Sequence, residues 1–196
     1  MRRPKLRLKF KKLTANHIEL AVAHLYSWRE NIIVPNVSWG LQGLGHEADM
    51  LIVNPQSLYT KEIEIKVSAS DIMADLEKRH GHHSDLIKEL YFAVPEALAG
   101  HCGIPQRAGI IAVSDDLKAR VVRRPEINRQ AKPLNRHQLN KVLHLGVMRI
   151  WSLKTKLTEE KHKHELQDSV VRHNGKRATL DAALPGTCKG DLGTGS

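Results

Sequence analysis

Tyr59-Thr60-Lys61-Glu62-Ile63-Glu64-Ile65-Lys66-Val67 decides how this chain is read. Ile63, Ile65 and Val67 alternate with Glu62, Glu64 and Lys66, the period-two pattern of a strand with one apolar and one charged face. Glu64 and Lys66 share that charged face, about 6.6 Å apart at roughly 3.3 Å per residue. Such a pair on a half-exposed strand is often nothing more than two solvated charges. Here, however, Asp49 lies fifteen residues before Glu64, in a second strand-like run, Ala48-Asp49-Met50-Leu51-Ile52-Val53, closed by Asn54-Pro55. If the two strands pair, both carboxylates converge on one cation. Oxygen ligands in a site open to water suit Mg²⁺ or Mn²⁺. A divalent ion so held polarises a phosphoryl oxygen and lowers the pKa of water beside it. Lys66 would orient that water or help deprotonate it. Residues so arranged would suit phosphodiester hydrolysis.

Working outward, Thr14 is an N-cap for a helix over Ala15 to about Asn31, with Ile18, Val22, Leu25 and Trp28 as its apolar stripe and Trp28 in the core. Glu19 lies beside that stripe. Ile32-Ile33-Val34-Pro35 and Val37-Ser38-Trp39 read as an extended segment broken by proline. Ser68 or Ser70 caps a helix opening at Asp71 and running to about Lys78. In that helix Asp71, Asp75 and Lys78 share a face as a helix-dipole and ion-pair set. Glu89 to Val94 is a fourth strand, and Ala108 to Val113 and Ala119 to Val122 are two more around a turn at Asp115-Asp116. After Pro133 a helical pattern runs from about Asn135 to Leu166, and the glycine-rich end reads as disordered. Helix, three strands, helix, strand is an α/β order with acids at strand ends, where such sheets place their chemistry.

The chain has 196 residues, enough for one domain with appendages and a buried core. Lys and Arg number 31 against 21 Asp and Glu, a net +10 that favours a polyanionic partner through counterion release. Met1 to Lys12 carries seven basic residues and no acid, so residues 1–13 are a basic arm. No apolar run nears the roughly 18–20 residues of a membrane span, and no signal-peptide core follows the basic start, so the expected location is the cytoplasm, with no membrane partner. Cys102 and Cys188 stand far apart in unlike contexts and read as free thiols. His80-Gly81-His82-His83 fits no zinc spacing and reads as a loop contacting phosphate or solvent. From Leu117 to Leu145, eight basic residues, among them Arg123 and Arg124, face the single acid Glu126. With aromatics at 4%, this stretch and the arm favour phosphate contacts over base stacking.

The order His46-Glu47-Ala48-Asp49, Glu62-Ile63-Glu64-Ile65-Lys66-Val67-Ser68, Ser70-Asp71 and Leu90-Tyr91-Phe92-Ala93-Val94-Pro95 resembles the PD-(D/E)XK nuclease superfamily. Within it, the likeness is to MmcB-like DNA-repair proteins and small phage or bacterial nucleases. Asp75, after the lysine, and Arg107-Ala108-Gly109-Ile110 extend the match, which covers about residues 14–125. Ala48 replaces the proline of the superfamily's name, at a position that varies. The resemblance implies a restriction-endonuclease-like core of helix, three strands, helix and strand over residues 14–133. A helical extension would span 134–168 and a disordered tail 169–196. It implies Asp49 and Glu64 as metal ligands for Mg²⁺ or Mn²⁺, the Ile65 carbonyl as a further ligand, Lys66 as the catalytic lysine and Glu19 as an added acid from the first helix. Glu47, on the strand face of Asp49, is either a support for the ion or an exposed acid. Lys78, His83, Arg107, Arg123 and Arg124 are the candidate DNA contacts.

The expected function is a metal-dependent DNA endonuclease in DNA repair, recombination or phage and host DNA processing. The alternatives are a non-catalytic DNA-binding accessory protein on the same fold and an RNA nuclease. The apolar content of the last helix suits packing on the domain or on a second copy, so a homodimer is compatible with it.

Overall fold

The computed structural model describes residues 12–37, 41, 43–76 and 84–181, with side chains through Lys163. Lys78, His83, the His80–His83 cluster, the arm through Lys11 and residues 182–196 lie outside the described residues. The chain divides into two compact units, Met1–Arg149 and Ile150–Ser196.

The first helix, α1 (Ala15–Tyr26), starts where the sequence places it. The Thr14 hydroxyl accepts from the His17 backbone N–H at 3.4 Å, and the Thr14 N–H donates to His17 Nδ1 at 3.2 Å. Together they satisfy two helix-start donors. The helix stops at Tyr26, short of Asn31, because Ser27 turns into the left-handed region at φ 57°. Trp28 therefore falls beyond the stripe. It is 44% exposed and stacked edge-on against His24 at 4.2 Å, so it is not a core residue.

Three antiparallel strands follow: β1 (Ile32–Val37), β2 (Ala48–Val53) and β3 (Thr60–Ile65). β1 is continuous through Pro35, which is tolerated because β1 is an edge strand. α2 (Ala69–Leu76) opens on Ser68, whose hydroxyl accepts from the Asp71 N–H at 3.2 Å. It carries the chain across to β4 (Ile87–Pro95), parallel to β3. A short 3₁₀ turn, Glu96–Leu98, precedes β5 (Gly109–Val113), parallel to β4, and β6 (Ala119–Arg123) closes the sheet antiparallel. The six strands lie in chain order, β1 to β6.

Strand alternation sorts the core onto two faces. Met50, Ile52, Ile63, Tyr91, Ala93, Ile111 and Val113 pack with Ile18, Ala21 and Val22 of α1. On the other face are two separate apolar clusters. One joins Leu51 and Val53 to Leu41, Leu44, Leu134, Val142 and Leu145. The second joins Leu90, Phe92, Val94 and Ile110 to Ile72 and Ile104. Between their strands lies β3, which offers that face Glu62 and Glu64 in place of apolar side chains.

The last helix, α3 (Arg136–Asp181), passes the expected end near Leu166, so residues 169–181 are helical where the sequence reads as tail. That stretch holds no proline to stop the helix. Val142 and Leu145 are buried, whereas Leu143, Val147, Ile150, Trp151, Leu153 and Leu157 are exposed. Among the described residues, no helix is long and apolar enough to cross a membrane.

Candidate functional site

The β2–β3 ladder runs from Val53↔Thr60 to Met50↔Ile63 and stops there. Where the backbone pairing ends, a side chain takes over: the Asp49 carboxylate accepts the Ile65 N–H at 2.8 Å. The next amide, Lys66 N–H, turns the other way and donates to the Ala93 carbonyl of β4 at 3.1 Å. Asp49 thus sits at the splayed ends of two strands, half-buried and tied to the residue between Glu64 and Lys66.

Glu64 and Lys66 share a face as alternation predicts, but that face is buried. Glu64 is 2% exposed and Lys66 7%. Lys66 Nζ lies 2.8 Å from Glu64 and 2.9 Å from Asp75 of α2, with the Phe92 ring centroid 5.9 Å away. Burial alone would pull the ammonium pKa down. The Glu64 and Asp75 carboxylates outweigh it and hold Lys66 above its usual range. The amine therefore stays protonated, which suits orienting a water or countering negative charge and not abstracting a proton. Asp75, read from sequence as part of a helix-dipole and ion-pair set with Asp71 and Lys78, is buried against Lys66. Asp71 is exposed at the helix start, as expected of a residue facing the dipole.

Glu19 is half-buried on α1, and its pKa is raised by burial first and by the Asp49 charge second. Two carboxylates close enough to repel in a partly desolvated place are a pair that a cation would relieve. The expected acids thus fall into two neighbouring sets, Asp49 with Glu19 and Glu64 with Lys66 and Asp75, meeting at Ile65. Glu47 is exposed at the approach to β2. Among the described residues, no three His, Cys, Asp or Glu side chains are gathered closely enough to form a metal cage. Mg²⁺ does not require one, since it commonly takes one or two carboxylates and keeps several waters. Asp49 and Glu19 are the two carboxylates whose nearness matches that habit, whereas Glu64 is buried against Lys66.

The expected DNA contacts separate as well. Arg123 donates from Nε to the Ala108 carbonyl at 2.9 Å and from Nη2 to the Pro105 carbonyl at 2.7 Å, so its guanidinium holds the loop before β5. Arg107 is half-buried and lines a cavity of about 560 Å³ with Asp85, Lys88, Leu90 and Asn128. Arg124 is exposed, and its charge reaches the Tyr91 phenol.

Sequence reasoning passed over one pair. His46 Nε2 and Glu62 Oε1 are 2.6 Å apart, with side chains 3% and 0% exposed. The signal was present: Glu62 has the same strand parity as Glu64, so a buried face forces a partner on both. No protein-family model, curated protein or solved structure matches this chain.

Proposed function

We propose that this chain is a divalent-metal-dependent nuclease of the restriction-endonuclease-like kind that hydrolyses phosphodiester bonds in DNA. The observation that carries the reading is Asp49 bound to the Ile65 N–H at the splayed ends of β2 and β3, with Glu64 and Lys66 on either side of that residue. Asp49 and Glu64 would hold Mg²⁺ or Mn²⁺, with Glu19 and the Ile65 carbonyl as further donors. Held there, the ion would supply Lewis acidity at the phosphoryl oxygen and a more acidic water. Lys66, kept charged by Glu64 and Asp75, orients the attacking water and stabilises charge that develops on the phosphate. The +10 net charge draws the polyanion to the protein, and Arg124 is a phosphate contact that sets position without reading sequence.

The buried Glu64–Lys66 ion pair and the lack of a three-acid cage among the described residues favour a second reading, a DNA-binding accessory protein without catalysis. Titrating Mg²⁺ and Mn²⁺ while assaying linear, nicked, flapped, branched and single-stranded DNA, with RNA as competitor, separates the two. The nuclease reading expects cation-dependent cleavage of at least one DNA that is lost in Lys66→Ala. Binding with no cleavage of any substrate supports the accessory protein, and preferential cleavage of RNA replaces DNA as the target.

A further inference from the structure

The Asp49 backbone is not held to β3 by the sheet. The ladder with β3 ends at Met50↔Ile63, and beyond it Ala48 is paired only on its other side, to Val37 of β1, so this segment is tied to β3 through side chains. Two ties are present, Asp49 to the Ile65 N–H at 2.8 Å and His46 to Glu62 at 2.6 Å. The second folds the approach to β2 back over the middle of β3. The rest of that approach is built to deliver it. Leu41 and Leu44 are buried in the cluster with Leu51 and Val53, and the Leu44 N–H donates to the Leu41 carbonyl at 3.0 Å. Gly45 supplies a left-handed φ of 76°, and the Ser84 hydroxyl pins the Gly43 carbonyl at 2.6 Å. Ala48, fully buried, then leads directly into Asp49.

We infer that His46 is a positioning residue for Asp49: clamped to Glu62, it fixes the start of β2 so that the Asp49 carboxylate meets the Ile65 N–H. This rests on the reading of Asp49 as a metal ligand, but the clamp itself is a property of the fold. A buried hydrogen bond between a side chain and a charged partner is strong and directional, and it has few alternatives in an apolar surround. Outer partners that aim a ligand matter nearly as much to its chemistry as the ligand does. With its side chain 3% exposed against Glu62, His46 acts on the chemistry through Asp49.

Two adjacent amides report on the clamp independently of activity. The Ile65 N–H is bound by Asp49, while the Lys66 N–H is bound by Ala93 on the opposite side of the strand. In full-length protein, His46→Leu is expected to speed Ile65 amide exchange roughly tenfold while leaving Lys66 exchange at its wild-type rate. The kcat for Mg²⁺-dependent cleavage should fall about 10- to 100-fold with KM for DNA little changed. His46→Gln, which can place a donor near the Nε2 position, should recover most of both. If His46→Leu does not fold, His46→Asn, too short to span to Glu62, takes its place with the same expected exchange. Wild-type Ile65 exchange in the folded variant overturns the proposal, as does equal acceleration at Ile65 and Lys66, which marks general loosening. Should wild-type protein cleave nothing, the nuclease reading falls, and the exchange comparison still decides the clamp.

Discussion

The two faces of this sheet are assembled on different terms. Toward α1, β2, β3, β4 and β5 present Met50, Ile52, Ile63, Tyr91, Ala93, Ile111 and Val113, and the helix closes them with Ile18, Ala21 and Val22. That is ordinary apolar burial, stabilising by about 25 cal/mol per Å² removed from water. On the opposite face, β3 interrupts the core with Glu62, Glu64 and Lys66, joined there by His46 and Asp75. Replacing such buried ions with apolar side chains of similar volume is often neutral or stabilising. Stability therefore does not account for the polar face, whereas the proposed nuclease function would, through its need for fixed charges beside Asp49. Local rules broken in a core without a gain in packing are expected at functional sites.

The contrast can be broken most severely at Lys66. Lys66→Met strands Glu64 and Asp75 as buried, uncompensated carboxylates and should cost roughly 3–5 kcal/mol in denaturant unfolding. Cleavage should disappear with it, and a loss of stability below about 1 kcal/mol would mean that the seam is wetter than the structure shows. Ile63→Ala, one residue from the seam but on the α1 face, should cost about 2–5 kcal/mol by leaving a cavity. At a temperature where the variant stays folded, its kcat should match wild type, so activity and stability part company between neighbouring residues. Gly109→Ala is the next smaller effect. A Cβ there would sit 2.5 Å from the Tyr91 ring carbons and 3.0 Å from the Arg123 carbonyl, which predicts a cost of roughly 1–3 kcal/mol by thermal melting.

The smallest effect lies in alkaline titration. Tyr26 and Tyr91 pack edge-on, and both phenols are raised, by burial first and then by neighbours that include the Glu89 carboxylate. The folded state holds these protons more tightly than the unfolded chain. The resulting stability is present below the usual tyrosine value of about 10 and is lost as pH rises through the folded values. Tyrosinate absorbance from these two residues should grow in only as the protein opens, and Tyr26→Phe should flatten the fall in stability across that range.

Much of this contrast was legible in the sequence because it follows from period-two alternation. Ile63 and Ile65 against Glu62, Glu64 and Lys66 gave the strand and its two faces, and the run Ala48 to Val53 gave a neighbour for it, without the antiparallel sense of the pairing. Alternation tells which residues share a face and not whether water reaches it, so the burial of Glu64 and Lys66 was not legible. Nor were their partners. Asp75 arrives from α2 and His46 from a turn, and both contacts depend on how separate elements dock. The helix ends failed locally: a left-handed Ser27 stopped α1 and moved Trp28 out of the core, and α3 ran past the expected boundary through a stretch with no proline to stop it. Arg123 looked like a phosphate contact because charge is visible in a sequence, whereas the Pro105 and Ala108 carbonyls that occupy it are not.

The central claim is that Asp49, bound at the split between β2 and β3, serves metal-dependent strand cleavage. Single-turnover cleavage of a labelled DNA duplex in Mg²⁺ by wild-type protein and by Asp49→Asn tests it most directly, because the amide can still accept the Ile65 N–H while losing the charge. The account predicts cleavage by wild type that EDTA abolishes, and DNA binding without cleavage by Asp49→Asn. Equal cleavage by the two proteins, or wild-type cleavage indifferent to EDTA, would contradict it.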